Sequence, residues 1–334
     1  MNFKKTLKKG EMILTKLSVF ASLRETFKHM EKLKLVILFF IIVLSLDATA
    51  QQDPQYTQYM YNMNVLNPAY AGSRNTLSIG ILGRTQWVNI DGAPKTLTLA
   101  VHAPVGEKVG LGLSIIADKI GPVSEQNIYA DFSYTIPTSN EGKLAFGLKG
   151  GVTLHTLDRG ALNAIDPESV YLDFDNKTLP NIGAGVFYYT TKYYVGLSMP
   201  NIMQSKYFEK RNGIITEASE KTHIFLTTGY VFEMSETLKF KPSIMAKAVQ
   251  GTPLSLDLSA NFLINNKLEL GASYRLDDSI SGLISFLVSQ NLRIGYAYDY
   301  TTSNLGDFNS GSHEAFLQWD VDLSRDKVIS PRFF

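Results

Sequence analysis

The feature that most constrains this chain is an alternation of apolar and polar residues that recurs along most of its length. From Thr76 onward, apolar residues occupy every second position in short runs, and turn-forming residues separate the runs. Between Leu254 and Ile264 one face would carry only apolar residues and the other serine, aspartate and asparagine, with Leu263 as the exception. A period of two indicates strands, and runs of about ten residues match strands that cross a membrane.

About fourteen such runs can be counted, which predicts an all-β fold, a transmembrane antiparallel up-and-down β-barrel of about 14 strands. The runs lie near residues 76–87, 95–103, 108–118, 124–136, 143–156, 181–190, 192–199, 221–232, 237–248, 253–264, 267–276, 280–288, 291–300 and 312–323.

The lengths of the connections support this prediction. Every second connection is short, as in 104–107, whereas the others include the two longest, 157–180 and 200–220. Barrels of bacterial outer membranes begin and end in the periplasm, with short turns there and longer loops outside. A soluble β-sandwich is the alternative for strands of period two, but it requires neither this alternation of loops nor an export signal.

Tyrosines cluster around one of the predicted periplasmic turns. They are Tyr188, Tyr189, Tyr193 and Tyr194. The ring of tyrosine is apolar and its hydroxyl is polar, which suits the boundary between lipid and water. We therefore expect these four side chains at the membrane interface.

The N-terminal region predicts export. The longest apolar segment, Leu35–Leu46, contains only Ser45 as a polar residue and has about twelve residues, too few for a helix that spans a membrane. Lysines precede it and Ala48-Thr49-Ala50 follows, so residues 30–50 are predicted to be a signal peptide cleaved near Ala50/Gln51. Residues 1–29 are interpreted as an upstream extension or as a long basic start of the same leader. The absence of cysteine suits passage through an oxidising periplasm.

Charged residues on the polar faces predict a hydrated or salt-bridged barrel interior. Both signs occur, on Arg84, Asp131, Lys149, Lys239, Lys241, Lys247, Asp257, Glu269, Arg275, Arg293, Asp299, Glu314 and Asp320. A barrel of about fourteen strands is too wide for wall side chains alone to fill. The segment 51–72 is polar and aromatic and contains the turn signal Asn67-Pro68, so we expect it to plug the lumen, to recognise a partner, or to do both.

The sequence gives no support for catalysis, a metal or a cofactor. The five histidines are scattered without a metal-binding spacing, and no P-loop, dinucleotide fingerprint or nucleophile elbow occurs in a suitable setting. The net charge of +1 gives no field that would attract nucleic acid. We therefore predict a noncatalytic protein whose surroundings are outer-membrane lipids.

Three motifs carry a resemblance to a known family. They are the QYM and NPAYAG elements within 51–72, the pattern Arg84-x-Gln86-Trp87 followed by Gly92-Ala93-Pro94-x-Thr96, and the C-terminal Ser330-Pro331-Arg332-Phe333-Phe334. In this order they resemble the PorP/SprF family of type IX secretion system outer-membrane proteins of Bacteroidota.

The resemblance implies an outer-membrane component that assists the export, or the surface anchoring, of a large adhesin or gliding protein. Its implied partners are a type IX adhesin with a C-terminal signal domain, the type IX translocon and a periplasmic peptidoglycan-binding lipoprotein. The candidate residues for partner binding or plugging are Tyr56, Gln58, Tyr59, Met60, Asn67, Pro68, Tyr70, Gly72, Arg84, Gln86, Trp87, Gly92, Pro94, Pro331, Arg332 and Phe334.

Two functions remain open at this point. The first is the secretion accessory role, and the second is an outer-membrane diffusion or uptake channel for small solutes. The loop 87–95 has two interpretations as well, a partner-binding loop or a restricted loop folded into the barrel mouth. The expected organisation is a leader at 1–50, a plug or periplasmic segment at 51–75, a barrel at 76–323 and a C-terminal periplasmic tail at 324–334.

Overall fold

The computed structural model describes residues 54–158, 177–203 and 221–322. The leader, most of the two longest loops and the C-terminal motif lie outside these ranges. The chain divides into two compact units, and the larger one, Ala50–Gln250 with Leu254–Phe334, contains every strand described below. Of the smaller unit only Gly251–Pro253 falls within the described residues.

Fifteen strands form one sheet. They are β1 (Leu77–Thr85), β2 (Lys95–Val105), β3 (Val109–Ile120), β4 (Val123–Pro137), β5 (Lys143–Leu157), β6 (Lys177–Tyr189), β7 (Tyr193–Met199), β8 (His223–Tyr230), β9 (Phe232–Glu233), β10 (Leu238–Val249), β11 (Ser255–Ile264), β12 (Leu268–Arg275), β13 (Ser279–Leu287), β14 (Leu292–Thr301) and β15 (Ser312–Val321). Both β8 and the two-residue β9 pair with β10, on either side of Val231, so they act as one strand of the wall.

The wall is a closed ring. Each strand pairs antiparallel with its neighbours along the chain, and β1 pairs with β15, where Gly80 lies opposite Gln318. Within the described residues the ring therefore has no free end strand, which is the condition for a sheet to sit in lipid. The prediction of an antiparallel barrel of 14 strands is confirmed.

The barrel is apolar outside and polar inside, the reverse of a soluble domain. On β4, Ile128 and Phe132 are exposed on the outer surface, whereas Asn127 and Asp131 are buried inside. The same alternation holds along β11, where Leu263 is the one apolar side chain that points inward. Charged side chains predicted to face the lumen are all buried or half-buried. Lipid solvates the outer face, so the apolar side chains that point outward need no protein core around them.

One expectation about aromatic residues needs correction. Of the four tyrosines expected at a membrane interface, Tyr189 and Tyr194 are buried in the interior. Tyr188 and Tyr193 remain on the outer face, with ring centroids 5.7 Å apart. The reason is the strand period, because consecutive residues of a strand must point to opposite faces.

The orientation follows from the ends of the barrel. The start of β1 and the end of β15 lie at the same end of the ring as the turns Gly106–Lys108, Thr190–Lys192 and Asn265–Lys267. Short turns and chain ends mark the periplasmic side of such barrels, so the opposite ends of the strands are the outer ends. Two outward connections, Gly121–Pro122 and Leu276–Asp278, are tight turns as well. Within the described residues, no helix is both long and apolar enough to cross a membrane.

Candidate functional site in the barrel lumen

Residues 54–76, here called the lumenal segment, precede β1 and lie inside the barrel. The segment contains a 3-10 helix at Tyr59–Tyr61, the short helix α1 at Met63–Leu66 and a second 3-10 helix at Pro68–Tyr70. Nearly all of its side chains are buried. The Asn67 side chain accepts a hydrogen bond from the Ala69 N–H at 3.0 Å, and Pro68 occupies the first helical position. The NPAY sequence thus starts this helix as a capped turn.

Near the outer end, Arg84, Asp299 and Glu314 form a buried charge cluster, here called the Arg84 cluster. The guanidinium lies 2.7 Å from the Asp299 carboxylate and 3.0 Å from that of Glu314. Glu314 also accepts hydrogen bonds from the backbone N–H groups of Thr57 at 2.9 Å and Gln58 at 2.7 Å. The Thr57 hydroxyl donates to Asp299 at 2.7 Å. The start of the segment is therefore held on both sides of the seam, the junction at which β1 pairs with β15. Arg84 belongs to β1, whereas Asp299 and Glu314 belong to β14 and β15.

Further contacts fix the middle of the segment to opposite parts of the wall. The Asn64 amide donates to Asp131 at 3.0 Å, and Asp131 is paired with Lys149 at 2.8 Å. On the other side, the Tyr61 hydroxyl donates to Glu269 and its ring stacks on Phe316 at 4.1 Å. The segment therefore reaches β4 and β12, which stand far apart around the ring.

Two glycines of the wall allow the backbone of the segment to approach closely. A Cβ at Gly147 would lie 2.1 Å from the Ala69 nitrogen, and a Cβ at Gly110 would lie 2.1 Å from the Ala71 oxygen. Any side chain at these two positions would collide with the segment. The small residues of the NPAYAG motif thus meet small residues of β3 and β5.

The segment leaves the lumen at the periplasmic end. Gly72 has a positive φ of 74°, and its N–H donates to the His102 ring at 3.2 Å. Arg74 then makes two hydrogen bonds with Asp320 of β15, the shorter at 2.7 Å. Charged groups therefore hold the segment at its exit as well as at its outer end.

Aromatic residues fill the space between these polar contacts. Tyr70 packs edge-on against Phe187 at 5.3 Å and against His102 at 5.4 Å. Tyr59 and Met60 are almost completely buried. The Tyr56 hydroxyl lies 3.0 Å from that of Thr98. The lumen at this level is packed in the manner of a protein core.

The first outer loop, 86–94, is bonded to both neighbouring connections. Its ends join where the Gln86 N–H donates to the Pro94 carbonyl at 2.9 Å. The Val88 N–H donates to Gly311 at 2.9 Å, and Gly92 accepts from Gly121 at 2.8 Å. Trp87 has a positive φ of 44°. The loop borders a cavity of about 500 Å³.

The structure thus brings the predicted residues into two groups. The first group lies in or beside the lumen and consists of Arg84 together with Tyr56, Gln58, Tyr59, Met60, Asn67, Pro68, Tyr70 and Gly72. The second group belongs to the first outer loop and consists of Gln86, Trp87, Gly92 and Pro94. Pro331, Arg332 and Phe334 lie outside the described residues. No group of three or more potential metal ligands occurs in the ranges that the structure describes.

Sequence reasoning missed three residues that hold the segment in place, Thr57, Asn64 and Arg74. Each is polar and stands in or next to a motif that was recognised. The usable signal was the excess of charged residues predicted inside the barrel, because buried charges require partners. The polar side chains of 54–76 were the nearest available partners.

Comparison with known proteins gives one family. The sequence profile of the type IX secretion system membrane protein PorP/SprF matches residues 48–319. No curated protein sequence matches the chain.

Among solved structures, the chain is similar to the CymD monoaromatic hydrocarbon channel, with 13% identity, a TM-score of 0.47 and coverage of 77% of this chain and 92% of that chain. It is also similar to the outer-membrane protein Omp33 of Acinetobacter baumannii, with 8% identity, a TM-score of 0.45 and coverage of 74% and 98%.

Proposed function

The chain belongs to the PorP/SprF family of type IX secretion system membrane proteins, and we propose that it assists the export or surface anchoring of a large adhesin or gliding protein without catalysing a reaction. It is an integral outer-membrane component of that secretion system. Proteins of this family and fold are typically noncatalytic.

The occupied lumen is the observation that carries this proposal. The lumenal segment is hydrogen-bonded to β1, β2, β4, β6, β7, β12, β14 and β15. Its aromatic and apolar side chains are buried between these contacts. A channel for solutes needs a continuous hydrated path, and a core-like filling favours a protein that acts through its two ends and its partners. This supports an anchoring role over the alternative of a diffusion channel.

We propose that the outer end of the barrel binds the C-terminal signal domain of the secreted adhesin. The first outer loop is tied to its neighbours by backbone hydrogen bonds, so it presents a fixed surface, which lowers the entropy lost on binding. The periplasmic end would contact the translocon and a peptidoglycan-binding lipoprotein. The C-terminal motif with Pro331, Arg332 and Phe334 would belong to that end.

Deletion of the gene tests the cargo role. We expect one large adhesin to appear in the medium or to stay inside the cell, while other proteins exported by the same system reach the surface. Quantitative proteomics of surface, medium and periplasm measures this, with the wild-type gene restored as control. An unchanged surface level of every adhesin would contradict the proposal.

Electrical recording separates the anchor from a diffusion channel. In planar bilayers, the intact protein should show little or no steady conductance, and a variant without residues 51–72 should form open pores. Heat-modifiable migration on gels checks that both barrels are folded. A high steady conductance of the intact protein would favour the channel.

A further inference from the structure

A row of polar residues crosses the outer rim of the wall on the face that meets lipid. The strand register places His313, Thr85, Lys95, Lys119, Ser124 and Thr156 side by side on successive strands. Directly below this row, Leu97 on β2, which is 57% exposed, stands opposite Ala117 on β3, and Ile115 follows at the next outward position of β3. On β2 and β3 the row therefore marks the place at which the apolar band ends and the lipid headgroups begin.

Two positive charges occupy the middle of this row. Lys95 and Lys119 are exposed and stand directly opposite each other in the pairing of β2 with β3. Neither ammonium makes an ion pair with a residue in the described ranges. Like charges opposite each other destabilise a sheet. This arrangement becomes favourable when an anion lies between the two ammonium groups.

A cavity adjoins the two lysines. It has a volume of about 500 Å³ and is bounded by Lys95, Lys119, Gly121 and the first outer loop. Its lining contains one carboxylate, that of Asp91, against the two ammonium groups, so the net charge of the lining is positive. The cavity has room for a group larger than a simple ion.

We propose that Lys95 and Lys119 bind the phosphate of a glycolipid headgroup of the outer leaflet. The outward direction of both side chains and their position directly above the outward-facing Leu97 and Ala117 favour a lipid over a soluble anion. The acyl chains would lie on the apolar band while the phosphate meets both ammonium groups. A lipid bound at this place would stabilise β2, β3 and the first outer loop at the membrane surface.

Binding of lipid A tests the proposal. The full-length protein in detergent is titrated with diphosphorylated lipid A, and bound lipid is counted by native mass spectrometry. The paired variant K95Q/K119Q should bind roughly thirtyfold more weakly, since each lysine at a charged membrane surface contributes about a fivefold change in affinity. The matched control K192Q/K267Q removes two exposed lysines from the short turns at the periplasmic end and should bind as the wild type does. K95R/K119R keeps both charges and should retain binding.

Three further comparisons decide the outcome. Dephosphorylated lipid A should lose the difference between the wild type and K95Q/K119Q, and inorganic phosphate at millimolar concentration should not displace the lipid. Equal binding of diphosphorylated lipid A by the wild type and K95Q/K119Q, with both barrels folded by heat-modifiable migration, would overturn the proposal. Displacement of the lipid by inorganic phosphate, or binding of a soluble acidic peptide in its place, would also overturn it.

Discussion

At the scale of single residues, the outer part of the lumen is organised by charges that are almost completely buried. Arg84, Asp299 and Glu314 are each at most 3% exposed at their side chains. A charge buried in this way is costly unless it is paired and hydrogen-bonded. Here the backbone N–H groups of Thr57 and Gln58 provide the remaining hydrogen bonds. The cluster is therefore complete only when the lumenal segment is in place.

Removal of Arg84 should destabilise the lumenal segment. In R84M two buried carboxylates lose their counter-charge, and breaking such a pair typically costs about 3 to 5 kcal/mol. The chain has no cysteine, so a single cysteine at the buried Asn62 reports directly on opening. We expect maleimide to label N62C slowly and to label N62C/R84M at least tenfold faster.

Two controls make this result specific to the missing charge. R74M breaks the less buried Arg74–Asp320 pair and should have a smaller effect. Replacing Asp299 and Glu314 by their amides in the R84M background should slow the labelling again, because no unpaired charge then remains. Equal labelling of N62C with and without Arg84 would show that the cluster does not hold the segment.

At the scale of elements, β5 shows how the wall is shaped to its contents. Gly147 faces the lumenal segment, whereas Gly150 on the same strand is exposed, and a Cβ added there would meet no atom within 4 Å. The sequence of β5 alone does not reveal why a glycine is needed at position 147. The backbone that leaves no room for a side chain there is that of Ala69, which is distant in sequence.

These two glycines make a matched pair for substitution. G147A should displace the segment, because its Cβ would lie 2.1 Å from the Ala69 nitrogen. G150A should leave the segment in place. The rate of maleimide labelling of N62C and the bilayer conductance both measure the difference. We expect G147A, but not G150A, to raise both quantities. Identical behaviour of the two variants would mean that the close contact at Gly147 does not position the segment.

At the scale of the whole molecule, the strands of the barrel wall were largely predictable from sequence, whereas the contacts of the lumenal segment were not. Alternation of period two depends on neighbouring residues, so it revealed the strands and the inward-facing charges. The hydrogen bond from Thr57 to Glu314 joins residues 257 positions apart, and no local pattern contains that pairing. Two of the four tyrosines at the β6–β7 turn were misplaced because composition was considered without the register of the strands.

Closure of the ring can be checked by cross-linking. Ile81 on β1 and Leu317 on β15 are directly opposite and face lipid. I81C/L317C should form an intramolecular disulfide under mild oxidation, because directly paired strand residues are within reach of a disulfide. In I81C/I294C the two cysteines are separated by β15, since Leu317 also pairs with Ile294, and no bond should form. A disulfide in I81C/I294C, or none in I81C/L317C, would contradict the pairing of β1 with β15.

The contacts of the lumenal segment with both β1 and β15 link its ordering to closure of the ring. The segment bonds to Arg84 on β1 and to Glu314 and Asp320 on β15. These two strands come from opposite ends of the barrel sequence, so the full set of contacts exists only when β15 has paired with β1. Closure of the wall and ordering of the N-terminal residues therefore stabilise each other, and the segment joins the first strand to the last from inside.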